Sequence, residues 1–158
     1  MVSTKDKIEH HLSNYEKVKS SFLWENVAKE LSGLPEGRGL NIAHEAIDKH
    51  ALTNQKNSIA LRFIRKDSNF QDFTYSELKI QTSKFANVLQ NLGIQKGECI
   101  FSLAGRIPEL YITALGTLKY TAVFCPLYSV FGPEPIFQRL SKGDAVVLVT
   151  TAALFEKK

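Results

Sequence analysis

The stretch Cys99–Thr150, CIFSLAGRIPELYITALGTLKYTAVFCPLYSVFGPEPIFQRLSKGDAVVLVT, decides the fold. It repeats one pattern: a short apolar run, a turn, then a helical segment. The spacing predicts strand Cys99–Leu103, helix Pro108–Lys119, strand Ala122–Leu127, helix Pro133–Leu140 and strand Ala145–Thr150. Strands separated by helices of this length are joined by crossovers, which implies parallel pairing. Parallel strands are commonly covered on both faces, which would explain why Ala145-Val146-Val147-Leu148-Val149 is continuously apolar instead of alternating. Pro108-Glu109 and Pro133-Glu134 fit the first helical turn, where the missing proline amide is not needed and an acid faces the positive helix end. Ala152 to Lys158 then reads as the opening of another helix, and from this break in the pattern we expect the chain to be a fragment or a truncated product.

Working backwards, Thr74-Tyr75-Ser76-Glu77 carries a hydroxyl at the cap and a carboxylate three residues later, each able to satisfy the other's backbone amide. The helix it opens continues through Leu78, Thr82, Phe85, Ala86, Leu89 and Leu92 to Gly93, a residue suited to a left-handed stop. Before it, Ser58–Ile64 and Phe70–Phe73 read as two strands joined by the turn Lys66-Asp67-Ser68-Asn69. Asn41 is a helix cap for the segment through His50, with Ile42, Ala46 and Ile47 on one face. Residues 1–38 form a helical appendage and linker: Leu12, Tyr15, Val18, Phe22, Trp24, Val27, Ala28 and Leu31 suggest short helices that pack on a body elsewhere. Ser32 to Gly39 is a Gly/Pro loop. The second domain is 39–158. The fold class is therefore α/β: leading helices plus a β-hairpin, then β-α-β-α-β of a partly parallel sheet.

Of the 158 residues, 44% are hydrophobic and 23% charged, a globular balance that excludes disorder, collagen and coiled coil for the whole. The net charge of +4 comes from dispersed residues, the densest basic pair being Lys157-Lys158, so a nucleic-acid partner is not expected. Met1–Glu16 carries Lys5, Asp6, Lys7, Glu9, His10 and His11 where a signal peptide needs an apolar core, and no run is long enough to span a membrane. The expectation is a soluble, cytoplasmic protein. Cys99 and Cys125 sit in apolar runs, lack a Cys-x-x-Cys spacing, and read as small buried hydrophobes.

Motifs that carry chemistry are scarce. His10, His11, His44 and His50 lack a metal-ligand spacing, and His44 and His50 fall on different sides of a helix. Gly37-Arg38-Gly39 follows no strand and lacks a third glycine, so it is a linker and not a nucleotide loop. No Gly-x-Ser-x-Gly occurs. Arg106 follows a strand at its C-terminal end, where open α/β sheets bind ligands, but one charge without partners reads as a surface or helix-start residue. No catalytic, cofactor-binding or metal-ligating residue is assigned.

The tracts Gly39 to Ala51, Phe73 to Leu78, Phe85 to Leu89, Pro108-Glu109-Leu110-Tyr111 and Phe131 to Ile136 resemble, in order and spacing from about Tyr15 onward, the N-terminal region of the acetyl-CoA synthetases. These are acetate–CoA ligases of the AMP-forming adenylating superfamily. The resemblance implies the incomplete N-terminal domain of the adenylating-enzyme fold. It also implies a two-step reaction in which acetate and ATP give acetyl-adenylate and pyrophosphate, and the thiol of CoA then displaces AMP. ATP, Mg and CoA are the cofactors implied for the full-length family, with none expected to bind this chain tightly. The family's phosphate loop, ribose-binding aspartate and C-terminal lysine have no counterpart here. Pro108, Glu109, Gly132, Pro133 and Glu134 match family positions but read as helix-start geometry. The chain alone is expected to be inactive, its partner being the remainder of the ligase or a complementary subunit. The rival reading is a stand-alone non-catalytic protein docking through the sheet edge Ala145–Thr150; a flavodoxin-like binding domain shares the β-α-β pattern but not the leading helices and hairpin.

Overall fold

The structure is a computed structural model and describes residues 12–157. His10, His11 and Lys158 lie outside the described residues. The chain parts into two compact units between Ser32 and Gly33. In the first, helices α1 (Tyr15–Ser21) and α2 (Trp24–Glu30) bury no residue. Asn14 caps α1 through a bond from the Lys17 amide, and the rings of Phe22 and Trp24 meet edge to face at 5.0 Å.

The second unit begins with the Gly/Pro loop, tied down where the Gly33 amide donates to Glu45 at 2.7 Å. Asn41 does two things with one side chain. Its Oδ1 accepts from the amides of Ala43 and His44, capping helix α3 (residues 42–51), and its Nδ2 donates 2.8 Å to the carbonyl of Leu118. The expected face of α3 is corrected. Ala43 and Ile47 are buried, whereas Ile42 and Ala46 are exposed. The stretch His44–Asp48 is wound as a π-helix, and its wider i→i+5 turns change which residues share a face.

Strands β1 (Ile59–Ile64) and β2 (Phe70–Thr74) pair antiparallel as the expected hairpin. Across it Arg62 grips Asp72 with two bonds of 2.7 and 2.8 Å, and that guanidinium holds the Asp72 carboxyl below its ordinary value. In the turn, bonds from Asn69 do the same to Asp67. Thr74 ends β2 and caps helix α4 (Tyr75–Asn91) in a complete capping box: Glu77 accepts from the Thr74 amide at 2.8 Å, which lowers its carboxyl as well. At the other end Gly93, at φ 77°, turns the chain out of the helix, and the amide of Ile94 reaches back to the carbonyl of Leu89.

The three remaining strands, β3 (Cys99–Leu103), β4 (Val123–Leu127) and β5 (Ala145–Thr150), form a parallel sheet in the order β4-β3-β5. Among the described residues, antiparallel pairing is confined to the hairpin. Helices α4 and α5 (Pro108–Lys119) cover one face, where Leu89, Ile94, Ile100 and Ala122 form a core with Phe85, Val147 and Val149. Helices α6 (Pro133–Lys142) and α7 (Ala152–Lys157) lie on the other, around Phe101, Leu103, Leu127 and Ile136. Removing side chains such as Leu89 and Ile100 from water contributes about 1.5–3 kcal/mol each.

Among the described strands, β3 alone is buried along nearly its whole length. The expectation that β5 is covered on both faces is corrected: Val146 is 47% exposed and Leu148 36%. As an edge strand with a neighbour on one side, β5 leaves part of its apolar surface open. Cys99 and Cys125 are likewise half-buried, on the same face of adjacent strands, and burial together with the neighbouring thiol pushes Cys125 up from its ordinary value.

Helix α5 lies close to α4 because Gly116 has no side chain. A Cβ there would fall 2.9 Å from the carbonyl oxygen of Thr82 and 2.9 Å from the Cβ of Phe85. Beyond that contact, Lys119 donates 2.7 Å to Asp48 and 3.1 Å to Ser83, joining α3, α4 and α5.

Two outcomes follow from these contacts. Gly116→Ala gains about 1 kcal/mol of helix propensity but overpacks against backbone at a cost of about 1–3 kcal/mol, at the upper end because a carbonyl cannot rotate away. A lowered urea midpoint is expected. Acid should also destabilise the fold: Asp67, Asp72 and Glu77 are all held below their ordinary values of 3.8 and 4.5, so their contribution is complete above those values. It is lost as pH falls through the lower folded values, and melting curves from pH 7 to pH 3 should show a plateau and then a decline.

Candidate functional site

Open parallel sheets bind ligands beyond the C-terminal ends of their strands. A cleft of about 770 Å³ lies there, past the ends of β3 and β5, walled by α4, the start of α5 and strand β2. The topology builds it: β3 ends at Leu103, the loop through Gly105 and Arg106 turns the chain into α5, and β5 ends beside it at Thr150. Phe73, Phe85, Ile107 and Leu110 give it an apolar floor, while Gln71, Gln81, Thr113 and Thr151 add neutral polar groups.

Ser102 is the distinctive group in this wall. It shares the α4/α5 face with Ile100 by strand alternation, is 1% exposed, and its hydroxyl has no hydrogen-bond partner. The cleft is lined by no Lys, Arg or His, and its one charged residue is Glu109. The Ser102 hydroxyl makes no hydrogen bond to a base, so no contact in the structure activates it as a nucleophile. Without a cation the cleft cannot neutralise a phosphate or a carboxylate. Among the described residues no group of three or more His, Cys, Asp and Glu could hold a metal ion. The residues present do not fit a bound nucleotide with its magnesium. A neutral, largely apolar occupant with a few hydrogen-bonding groups is what this lining suits.

The residues singled out in the sequence fall as follows. Arg106 is exposed in the loop before α5, outside the cleft lining. Pro108 and Pro133 stand in the first turns of α5 and α6, followed by Glu109 and Glu134, and Gly132 is the residue before α6. Gly37 closes a short 3₁₀ turn in the loop, where Arg38 donates to the carbonyl of Pro35. His50 bonds Gln55 at 2.9 Å and rests against the ring of Tyr75, with His44 elsewhere on α3. The structure brings none of these together. Ser102 went unnoticed in the sequence because a serine inside an apolar strand carries no local signal of what it faces.

With this geometry, the comparisons with known proteins define the class. Residues 47–158 match the family model described as AMP-binding enzyme, and the chain belongs to that family. Its relatives include the acetyl-coenzyme A synthetase of Bacillus subtilis (strain 168), 37% identical over 151 residues, which cover 94% of this chain and 26% of the relative. Another is the acetyl-coenzyme A synthetase of Methanothrix thermoacetophila, 31% identical over 122 residues, 77% of this chain and 18% of the relative. Among solved structures it is similar to the Brucella canis acyl-CoA synthetase, with a TM-score of 0.81 at 30% identity over 91% of this chain and 26% of that one. The matched stretch thus spans between 18% and 26% of the length of these proteins and corresponds to their N-terminal region.

The unpartnered hydroxyl generates a direct test. Ser102→Ala removes a desolvated group that makes no bond, so the usual loss on deleting a buried polar side chain should not appear. A melting temperature equal to or above that of the unaltered chain is expected by circular dichroism.

Proposed function

We propose that this chain is the N-terminal part of an AMP-forming acid–CoA ligase with acetate as the acid, and that by itself it is inactive. In the complete reaction an oxygen of the acetate carboxylate attacks the α-phosphorus of ATP, pyrophosphate leaves, and the CoA thiol then displaces AMP from the acetyl-adenylate. Every step handles dense negative charge and needs magnesium and cationic side chains. The observation that carries the reading is the cleft's lack of any cation in a chain that belongs to the AMP-binding family. The same lining suits a neutral polypeptide surface, which supports the remainder of a ligase, or a complementary subunit, as its partner. Two free cysteines suit a reducing compartment, in keeping with work in the cytoplasm.

A second reading, a non-catalytic protein that docks to a separate chain, is favoured by the uncovered apolar surface of β5. One assay separates the two. Acetate-dependent ATP–pyrophosphate exchange by the purified chain should stay at the blank, and robust exchange would overturn the claim of inactivity. Exchange that appears when the chain is covalently continued by the missing three quarters of a related synthetase supports the first reading; exchange that also appears on mixing the two as separate chains supports the second.

A further inference from the structure

We propose that Cys99 and Cys125 form a two-coordinate site for one soft, thiophilic cation of the copper(I) class, held between their sulfurs across strands β3 and β4. The inference goes beyond the ligase reading and does not rest on it.

The strands place the pair. Cys99 stands opposite Val123 and Phe101 opposite Cys125, in a parallel register that runs without a shift from Cys99 to Leu103. Alternation therefore puts Cys99, Phe101 and Cys125 on one face of the sheet, where both cysteines pack on the core of Phe101, Leu103, Leu127 and Ile136. Both thiols are free and half-buried. Burial, the charge of Cys99 and a side-chain hydrogen bond with Cys99 push the Cys125 thiol up, so the two side chains meet. The ladder between β3 and β4 sets this placement, whatever pairs with the outer edges of the sheet.

The offset decides what the pair can hold. Two residues along a strand span about 6.6 Å and neighbouring strands lie about 4.8 Å apart, so the two Cα atoms stand about 8 Å from each other. A disulfide does not close across more than about 7 Å unless the backbone moves, and moving it here would break the ladder. A metal between two thiolates needs less. With a metal–sulfur bond of about 2.3 Å the sulfurs sit about 4.6 Å apart, within reach of side chains that lean together.

Two sulfur donors in an apolar surround also select the ion. Magnesium and calcium take about six or more oxygens and structural zinc takes about four ligands. Among the described residues no third His, Cys, Asp or Glu completes such a set. Soft thiolates favour copper(I), which is satisfied by two of them. On binding, both S–H bonds break, a Cu–S bond forms at each sulfur, both protons pass to solvent and no electron moves.

The purified chain, reduced and free of oxygen, should be titrated with copper(I) buffered by the chromophoric chelator bicinchoninate. One copper per chain should leave the chelator, and uptake should weaken as pH falls because protons compete for both thiolates. Cys99→Ser and Cys125→Ser should each abolish the uptake, which copper held by His10 and His11 would survive. If either variant unfolds, X-ray absorption on the copper-loaded unaltered chain decides: two sulfur neighbours are expected, with no nitrogen or oxygen. No uptake, uptake that survives either substitution in a folded variant, a third ligand on the metal, or one ion shared between two chains on size exclusion would each overturn the proposal. So would an intrachain disulfide formed in the folded chain by oxidised glutathione, because the sulfurs would then approach more closely than the ladder allows.

Discussion

Strand β3 must be hydrogen-bonded along both edges and covered on both faces at once, and the rest of the larger unit is arranged around that requirement. Its neighbours β4 and β5 come from later in the chain, so each reaches it through a crossover helix. Helices α4 and α5 on one face and α6 and α7 on the other supply the covering. The neighbours obtain only half of what β3 has: one ladder each, with exposed Val123 on β4 and exposed Val146 and Leu148 on β5. The polarity of the cleft follows from the same arrangement, since its walls are the ends of elements whose inner surfaces were chosen for packing.

What the sequence made legible is what short-range chemistry determines. Thr74 and Glu77 satisfy each other within one turn, Gly93 supplies a left-handed stop, and Pro108 and Pro133 begin helices; each needs no information from elsewhere in the chain. The start of α5 came out as read for that reason, and the bounds of β3 and β5 follow from their apolar runs. The end of α5 had no such mark: the residue that takes the left-handed turn there is Thr121, at φ 69°, a β-branched side chain where glycine is usual.

What was not legible depends on distant partners. That Asn41 ties α3 to the carbonyl of Leu118, that Gly116 admits Phe85, and that Lys119 meets Asp48 follow only from the fold. The apolar run of β5 was misread because a strand covered on both faces and a strand with an uncovered face have the same composition. The cleft was invisible for a similar reason, being built from Gln71, Ser102 and Glu109, which share no motif and meet only at the strand ends.

Thr74 belongs to two elements: its backbone closes the hairpin ladder opposite Ile59, and its hydroxyl begins α4. Hairpin and helix therefore share a hinge with no spare residue. Their contacts are local in the chain, whereas Ile100 must find Val147 across two intervening helices. The entropy of closing a loop rises with its length, so this corner is assembled at a smaller loss of chain freedom than any pair of strands in the parallel sheet. It is the part of the molecule that comes nearest to being specified by its own neighbourhood alone.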